Sequence, residues 1–163
     1  MEKKMRTYLL LGALLCATCA QAHENNSKDA HALRTYKAEQ MPFGIAGDPA
    51  KVTRTIKISM LDTMRFVPDK LEIKRGETIR FVLKNEGKML HEMVIGKMVD
   101  LKEHAKLMRE FPNMEHEAPH MVHVEPGHTG EIVWHFNRAG DFDFACLLPG
   151  HFEAGMVGKI KVK

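Results

Sequence analysis

The strongest constraint on the fold is an alternation of apolar and polar side chains that recurs from Val52 onward. Between residues 52 and 60, the apolar residues Val52, Ile56, Ile58 and Met60 share one parity, while Thr53, Thr55, Lys57 and Ser59 occupy the other. This is the period of a strand with one buried face. Further strand segments follow at 71–73, 79–83, 91–95, 132–136, 141–146 and 157–162. Strands at such close intervals predict an all-β chain folded as a Greek-key β-sandwich.

One short helical insertion interrupts these strands. Asp100, with Glu103 three residues later, is typical of a helix N-cap and capping box, and Pro112 is expected to end the helix. The side chains predicted to line its buried side are Leu101, Ala105 and Met108.

The N-terminal residues 1–22 have the pattern of a secretory signal peptide. Basic residues precede an apolar stretch that runs to a small-x-small triplet at 20–22, which predicts export to the periplasm. The stretch is shorter than the roughly 20 residues needed to cross a bilayer, so we expect no membrane span. Lipid attachment at Cys16 or Cys19 is an alternative, but the preceding residues Leu15 and Thr18 are not the small ones that such a site prefers.

The remaining chain divides into a tail and one domain. Residues 23–50 are polar and interrupted by proline and glycine, which predicts a flexible N-terminal tail lying against the domain near Phe43 and Ile45. Residues 51–163 are then a single domain, which we expect to be monomeric. Loss of the basic signal segment would lower the formal net charge from +3 to about +1, so nothing indicates a nucleic-acid partner.

Cleavage after Ala22 would leave Cys146 as an unpaired thiol in an oxidising compartment. Cys146 shares the parity of Phe142 and Phe144, so its side chain is predicted to point into the core. It also begins a C-x4-H-x4-M segment that continues through His151 to Met156.

A thiolate, an imidazole and a thioether therefore lie in one loop, and His91 supplies a second imidazole from a distant strand. Two histidines and one cysteine with a weak axial methionine form the ligand set of a type 1 copper site. Each residue taken alone is more simply explained by packing, since buried cysteine and methionine are common core residues. Zinc is the alternative metal, but it would prefer cysteine, histidine or carboxylate ligands to a thioether.

Over residues 52–163 the chain resembles the cupredoxin family. The segment 66–85, followed by His91 and Glu92, resembles the family's opening strands and first histidine ligand. Residues 146–151 are similar to the azurin ligand loop, and the four-residue gap between His151 and Met156 is nearer to that of pseudoazurin.

Residues 43–52 and 146–158 more closely resemble the CopI-type periplasmic copper-tolerance cupredoxins. The resemblance implies the cupredoxin fold and one type 1 copper ion. The implied ligands are His91, Cys146, His151 and Met156. One departure is Glu92, since many blue-copper electron carriers have at this position an asparagine that braces the cysteine loop. The environment around the ligands is therefore not predicted by the resemblance.

Two further copper sites are hypotheses. The first is a histidine- and methionine-rich segment between the helix and the next strand, where Pro119 and Pro126 prevent a continuous helix. Its candidate ligands are Met114, His116, His120, Met121, His123 and His128. The alternative is a solvated polar loop. The second is His23, whose amine and imidazole could chelate Cu(II) if cleavage makes it the N-terminus. His104 and His135 are expected at the surface.

Two functions fit these features, and neither makes the protein an enzyme. In the first, the protein binds or passes on periplasmic copper in copper tolerance and homeostasis, with a copper-handling protein as a possible partner. In the alternative, it is an electron-transfer cupredoxin that docks on redox partners through an apolar patch around His151, formed by Leu147, Leu148, Pro149 and Phe152. A copper enzyme would need an open catalytic copper and usually several domains, for which this chain has no room.

Overall fold

The computed structural model describes residues 39–111 and 117–163. Outside these ranges lie the predicted signal peptide 1–22, most of the predicted tail with His23, and the candidate ligands Met114 and His116. No helix within the described ranges has the length and apolarity to cross a membrane.

The described residues form two five-stranded sheets, one α-helix and a short 3₁₀ helix at Pro49–Lys51. The strands are β1 (Ile45–Ala46), β2 (Arg54–Leu61), β3 (Arg65–Val67), β4 (Lys70–Ile73), β5 (Thr78–Asn85), β6 (His91–Gly96), β7 (Met121–Val124), β8 (Thr129–His135), β9 (Gly140–Ala145) and β10 (Val157–Val162). The helix α1 spans Met98–Glu110. The strand order is β1-β8-β5-β2-β3 in the first sheet and β4-β10-β9-β6-β7 in the second.

Most neighbouring strands are antiparallel, but β2 with β5 and β4 with β10 are parallel pairs. The main core lies between the two sheets, where the apolar parity of each strand is buried. In β5, for example, Ile79, Phe81 and Leu83 are all fully buried. The predicted all-β sandwich with one helical insertion is therefore confirmed.

A smaller core lies between α1 and the outer face of the second sheet. Leu101, Ala105 and Met108 of α1 pack there with Val94 of β6 and Ala145 of β9. Strand β6 is consequently buried along its whole length, because the main core covers one face and the helix covers the other. This is why the part of the second sheet that carries His91 and Cys146 is shielded from solvent on both sides.

The helix begins earlier than the sequence predicts. Its N-cap is Lys97 rather than Asp100, which instead lies in the first turn, where a carboxylate interacts favourably with the helix dipole. The predicted end is close, since Phe111 is the C-cap residue and the residue before a proline rarely continues a helix.

The sheet also begins within the segment that the sequence assigns to a tail. Ile45 and Ala46 of β1 pair with His135 and Trp134 of β8. Phe43 is buried and stacks on Trp134 with ring centroids 5.3 Å apart, while the Trp134 indole N–H donates to the Phe43 carbonyl at 3.0 Å. This part of the chain is held by both backbone pairing and aromatic packing.

Candidate metal centre

His91 and Cys146 meet because β6 and β9 are adjacent antiparallel strands. His91 is the first residue of β6, and Cys146 immediately follows β9. Val94 pairs with Ala145 across the two strands. Both His91 and Cys146 are fully buried, as the inward parity of Cys146 predicted.

The loop 146–156 is closed by backbone hydrogen bonds at its base. The Cys146 N–H donates to the Met156 carbonyl at 3.0 Å, and the Met156 N–H donates to the His151 carbonyl at 3.1 Å. Gly150 and Gly155 have φ angles of +86° and +88°, a conformation that favours glycine, and allow the chain to turn back. Strand pairing between β9 and β10 thus brings Met156 to Cys146 and leaves His151 between them.

Three of the four predicted ligands form a tight cluster of donor atoms. One donor atom from each of His91, Cys146 and His151 lies within 4.8 Å of the other two. The Cys146 Sγ is 3.3 Å from the His151 Nδ1, and the two imidazole rings are 5.0 Å apart at 55°. Met156 is fully buried at the end of the same loop.

The hydrogen bonding of His91 fits a bound metal. Its Nε2 lies 3.1 Å from a carboxylate oxygen of Asp62, so the ring proton belongs on Nε2. Its Nδ1 is buried and has no hydrogen-bond partner among the described residues. Buried nitrogen atoms are normally hydrogen-bonded, and a metal ion would satisfy this one. Together with a buried thiol, this donor set suits copper.

Burial controls the protonation of the other two donors. Desolvation raises the pKa of the Cys146 thiol to about 12. Desolvation and the neighbouring His91 lower the pKa of His151. Without a metal, Cys146 is therefore a thiol and His151 is neutral at pH 7. A metal held by Cys146 would take the thiolate, so its binding would release the thiol proton.

Glu92 braces the cysteine loop despite replacing the asparagine found in many blue-copper carriers. One carboxylate oxygen accepts the Leu147 N–H at 2.7 Å, and the Glu92 N–H points at the Cys146 Sγ at 3.5 Å. The other oxygen lies 2.8 Å from the His123 Nε2. Because Glu92 is only 1% exposed, the pairing with His123 offsets the cost of burying its charge.

We expect His123 to titrate above the usual range of histidine in the metal-free protein. Its hydrogen bond to Glu92 raises its pKa, so the pair stabilises the fold most fully below the unfolded-state pKa of about 6.5. This contribution is lost as the pH rises through the higher folded-state pKa. NMR titration should show the pKa of His123 falling in Glu92→Gln relative to the wild type. An unchanged His123 pKa would contradict the pairing.

The described members of the hypothetical second copper site lie in different surroundings. The ring of His120 packs edge-on against Phe43 and Trp134, and Met121 is buried in the core beneath α1. His123 pairs with Glu92, and His128 contacts the Pro126 carbonyl. Within residues 39–111 and 117–163, the cluster of His91, Cys146 and His151 is the only group of three or more His, Cys, Asp or Glu donors that could hold a metal. Met121 and His123 belong to β7, not to the predicted loop.

The apolar patch around His151 is smaller than predicted. Leu147 is buried in the core beneath α1, because it continues β9 on the helix side of the sheet. Leu148 and Phe152 are half-buried and Pro149 is exposed. The patch therefore consists of Leu148, Pro149 and Phe152 beside a half-buried His151.

Sequence reasoning missed the side chains that hold the ligand loop from outside. Arg65 of β3 donates to the carbonyl of Ala154 at 3.0 Å. Arg109 of α1 forms an ion pair with Glu153, whose second oxygen accepts the Gly150 N–H at 3.0 Å. Arg65 and Arg109 are far from the loop in sequence, so no local motif indicates these contacts.

A two-sheet sandwich carrying a buried Cys–His–His cluster beside a buried methionine is typical of copper-binding β proteins. The profile of the family described as "Copper binding proteins, plastocyanin/azurin family" matches residues 51–163. The chain belongs to this family, and within it to the CopI-type cupredoxins.

Individual relatives agree with this assignment. The "Copper-resistant cuproprotein CopI" of Rubrivivax gelatinosus is 50% identical over 162 residues, covering 98% of this chain and 97% of the relative. The protein of the same name from Pseudomonas aeruginosa is 37% identical, covering 77% of this chain and 85% of the relative. Reduced auracyanin from Roseiflexus castenholzii has a TM-score of 0.58 at 23% identity, covering 69% of this chain and 98% of that structure. This last likeness concerns the fold.

Proposed function

We propose that the protein binds one copper ion through His91, Cys146, His151 and Met156, and contributes to copper tolerance by holding or passing on the metal. The observation that carries the proposal is the buried donor cluster, in which the Nδ1 of His91 has no protein partner among the described residues. The CopI relatives, which are named as copper-resistant cuproproteins, support the physiological role.

The donor atoms and the burial of the four residues would set the properties of the site. Copper would supply one-electron chemistry, because sulfur donors suit Cu(I) and imidazoles suit Cu(II). Cys146, His91 and Met156 are fully buried, which protects the thiol from oxidants. His151 is only half-buried, so it is the ligand nearest to an incoming partner.

The site of action would be the periplasm, reached through the signal peptide predicted at 1–22. There the protein would act as a monomer that binds metal and transforms no substrate. A protein that supplies or receives copper would be its partner. Electron transfer is the second candidate, and the half-buried His151 beside Leu148 and Phe152 favours it, because an apolar surface at a ligand edge suits transient docking.

Copper tolerance tests the proposal directly. Cells lacking the protein should stop growing at lower copper concentrations than the parent strain, and the wild-type protein should restore growth. We expect Cys146→Ser to fail to restore it, because the principal soft ligand is gone. Ala145→Ser is the matched control, since it adds the same hydroxyl one residue away on the helix side of the sheet.

Two results would contradict this role. Restoration by Cys146→Ser would separate tolerance from the proposed site. Normal copper tolerance in the deletion strain, and also in cells whose protein has Met114, His116, His120, Met121 and His123 replaced by Ala, would instead support electron transfer.

A further inference from the structure

The carboxylate of Asp62 lies directly behind the first histidine of the site. Asp62 follows β2, whereas His91 begins β6 of the other sheet. Its Oδ1 is 3.1 Å from the His91 Nε2. An imidazole that donates from Nε2 to a carboxylate keeps its lone pair on Nδ1, the atom that has no protein partner among the described residues.

The loop before His91 is shaped to receive this carboxylate. The backbone N–H groups of Lys88 and Met89 donate to its two oxygens at 2.8 and 3.4 Å. These backbone hydrogen bonds, with that of Lys88 the largest cause, lower the pKa of Asp62. A Cβ at Gly87 would lie 1.9 Å from the Asp62 Oδ1, so a side chain there would displace the carboxylate from its present position. The carboxylate is therefore held by several independent contacts.

Asn85 fixes the same loop from the buried side. Its side-chain amide donates to the carbonyls of Met89 and Val124, each at 2.8 Å, and its side-chain oxygen accepts the Gly87 N–H at 2.9 Å. Because Asn85 is fully buried, these bonds are shielded from water. The backbone that presents its N–H groups to Asp62 is thus itself held in place.

We propose that Asp62 is a positioning residue of the copper centre and that its charge favours Cu(II) over Cu(I). This inference rests on the proposed function, since it requires copper at His91. A carboxylate hydrogen-bonded to a ligating histidine fixes the tautomer and raises the basicity of the ligand. Its negative charge stabilises the more highly charged copper ion more strongly.

Asp62→Asn tests the effect of charge, because the amide oxygen can still accept the His91 proton. Replacing such partners typically weakens metal binding 10- to 100-fold. Since the Asp62 side chain is 35% exposed, we expect the lower end, about a tenfold loss of Cu(II) affinity relative to Cu(I). That ratio corresponds to a rise in reduction potential of about 59 mV.

Asp141→Asn is the matched control. Asp141 is exposed on β9, five residues or about 16 Å along the strand from Cys146. Asp141→Asn removes the same charge without touching a proposed ligand, so the reduction potential of this variant should stay close to that of the wild type. Equal potentials for Asp62→Asn, Asp141→Asn and wild-type protein would overturn the proposed effect of charge.

Asp62→Ala tests positioning in the metal-free protein. Imidazole ¹⁵N NMR should find His91 with its proton on Nε2 in the wild type, and a shifted tautomer population in Asp62→Ala. An unchanged tautomer would overturn the positioning role. This readout needs no copper, so failure of the wild type to bind copper would count against the proposed function, whereas the NMR result judges Asp62 alone.

Discussion

Cys146→Ser protein should bind Cu(II) without the intense visible absorption that we expect of the wild type. That absorption would arise from charge transfer between a thiolate and Cu(II), and Cys146 is the only cysteine among the described residues. Serine keeps the shape of the side chain but supplies a hard, poorly ionised oxygen. We therefore expect loss of the whole band, measured by titrating the metal-free protein with Cu(II).

Ala145→Ser distinguishes loss of the ligand from general damage to the strand. Ala145 is as fully buried as Cys146 but faces the core beneath α1. This variant should keep the band and bind one copper ion per chain. A band that survives in Cys146→Ser would show that another group supplies the chromophore, and the proposed ligand set would then be wrong.

The strands could be predicted from the sequence where one face is buried and the other is exposed to solvent. In β5 and β10 the alternation is clear because only the main core covers them. Strand β3 was missed since it contains just three residues. Strand β7 was missed because its alternation is short and its histidines and methionine suggested a metal-binding loop.

The donor cluster could be predicted from the sequence, but the contacts around it could not. Cys146, His151 and Met156 lie in one loop, where spacing alone limits their separation. Asp62 contacts His91, and Glu92 contacts the cysteine loop. Both contacts join parts of the chain that are distant in sequence. Such contacts depend on the strand order and register of the folded chain, and a single sequence does not reveal either.

Phe144 is critical to both the fold and the site, and its contacts also depend on how the strands and sheets pair. Phe144 is fully buried, and its ring lies edge-on to Phe66 of the opposite sheet with centroids 5.0 Å apart. Its ring also covers Gly158 of β10, where a Cβ would come within 2.1 Å of it. Phe144 therefore packs the two sheets together two residues before Cys146.

We expect Phe144→Ala to lower the free energy of unfolding of the metal-free protein by about 3–5 kcal/mol, because it leaves a cavity between the sheets. Domains of this size are typically stable by only about 5–15 kcal/mol, so urea denaturation should show a large fall in midpoint. Phe111→Ala is the control, since Phe111 is 56% exposed and its truncation should change stability by about 0.5 kcal/mol or less. Equal midpoints for the two variants would contradict the packing described, and with it the view that the sheet-to-sheet core holds Cys146 in position.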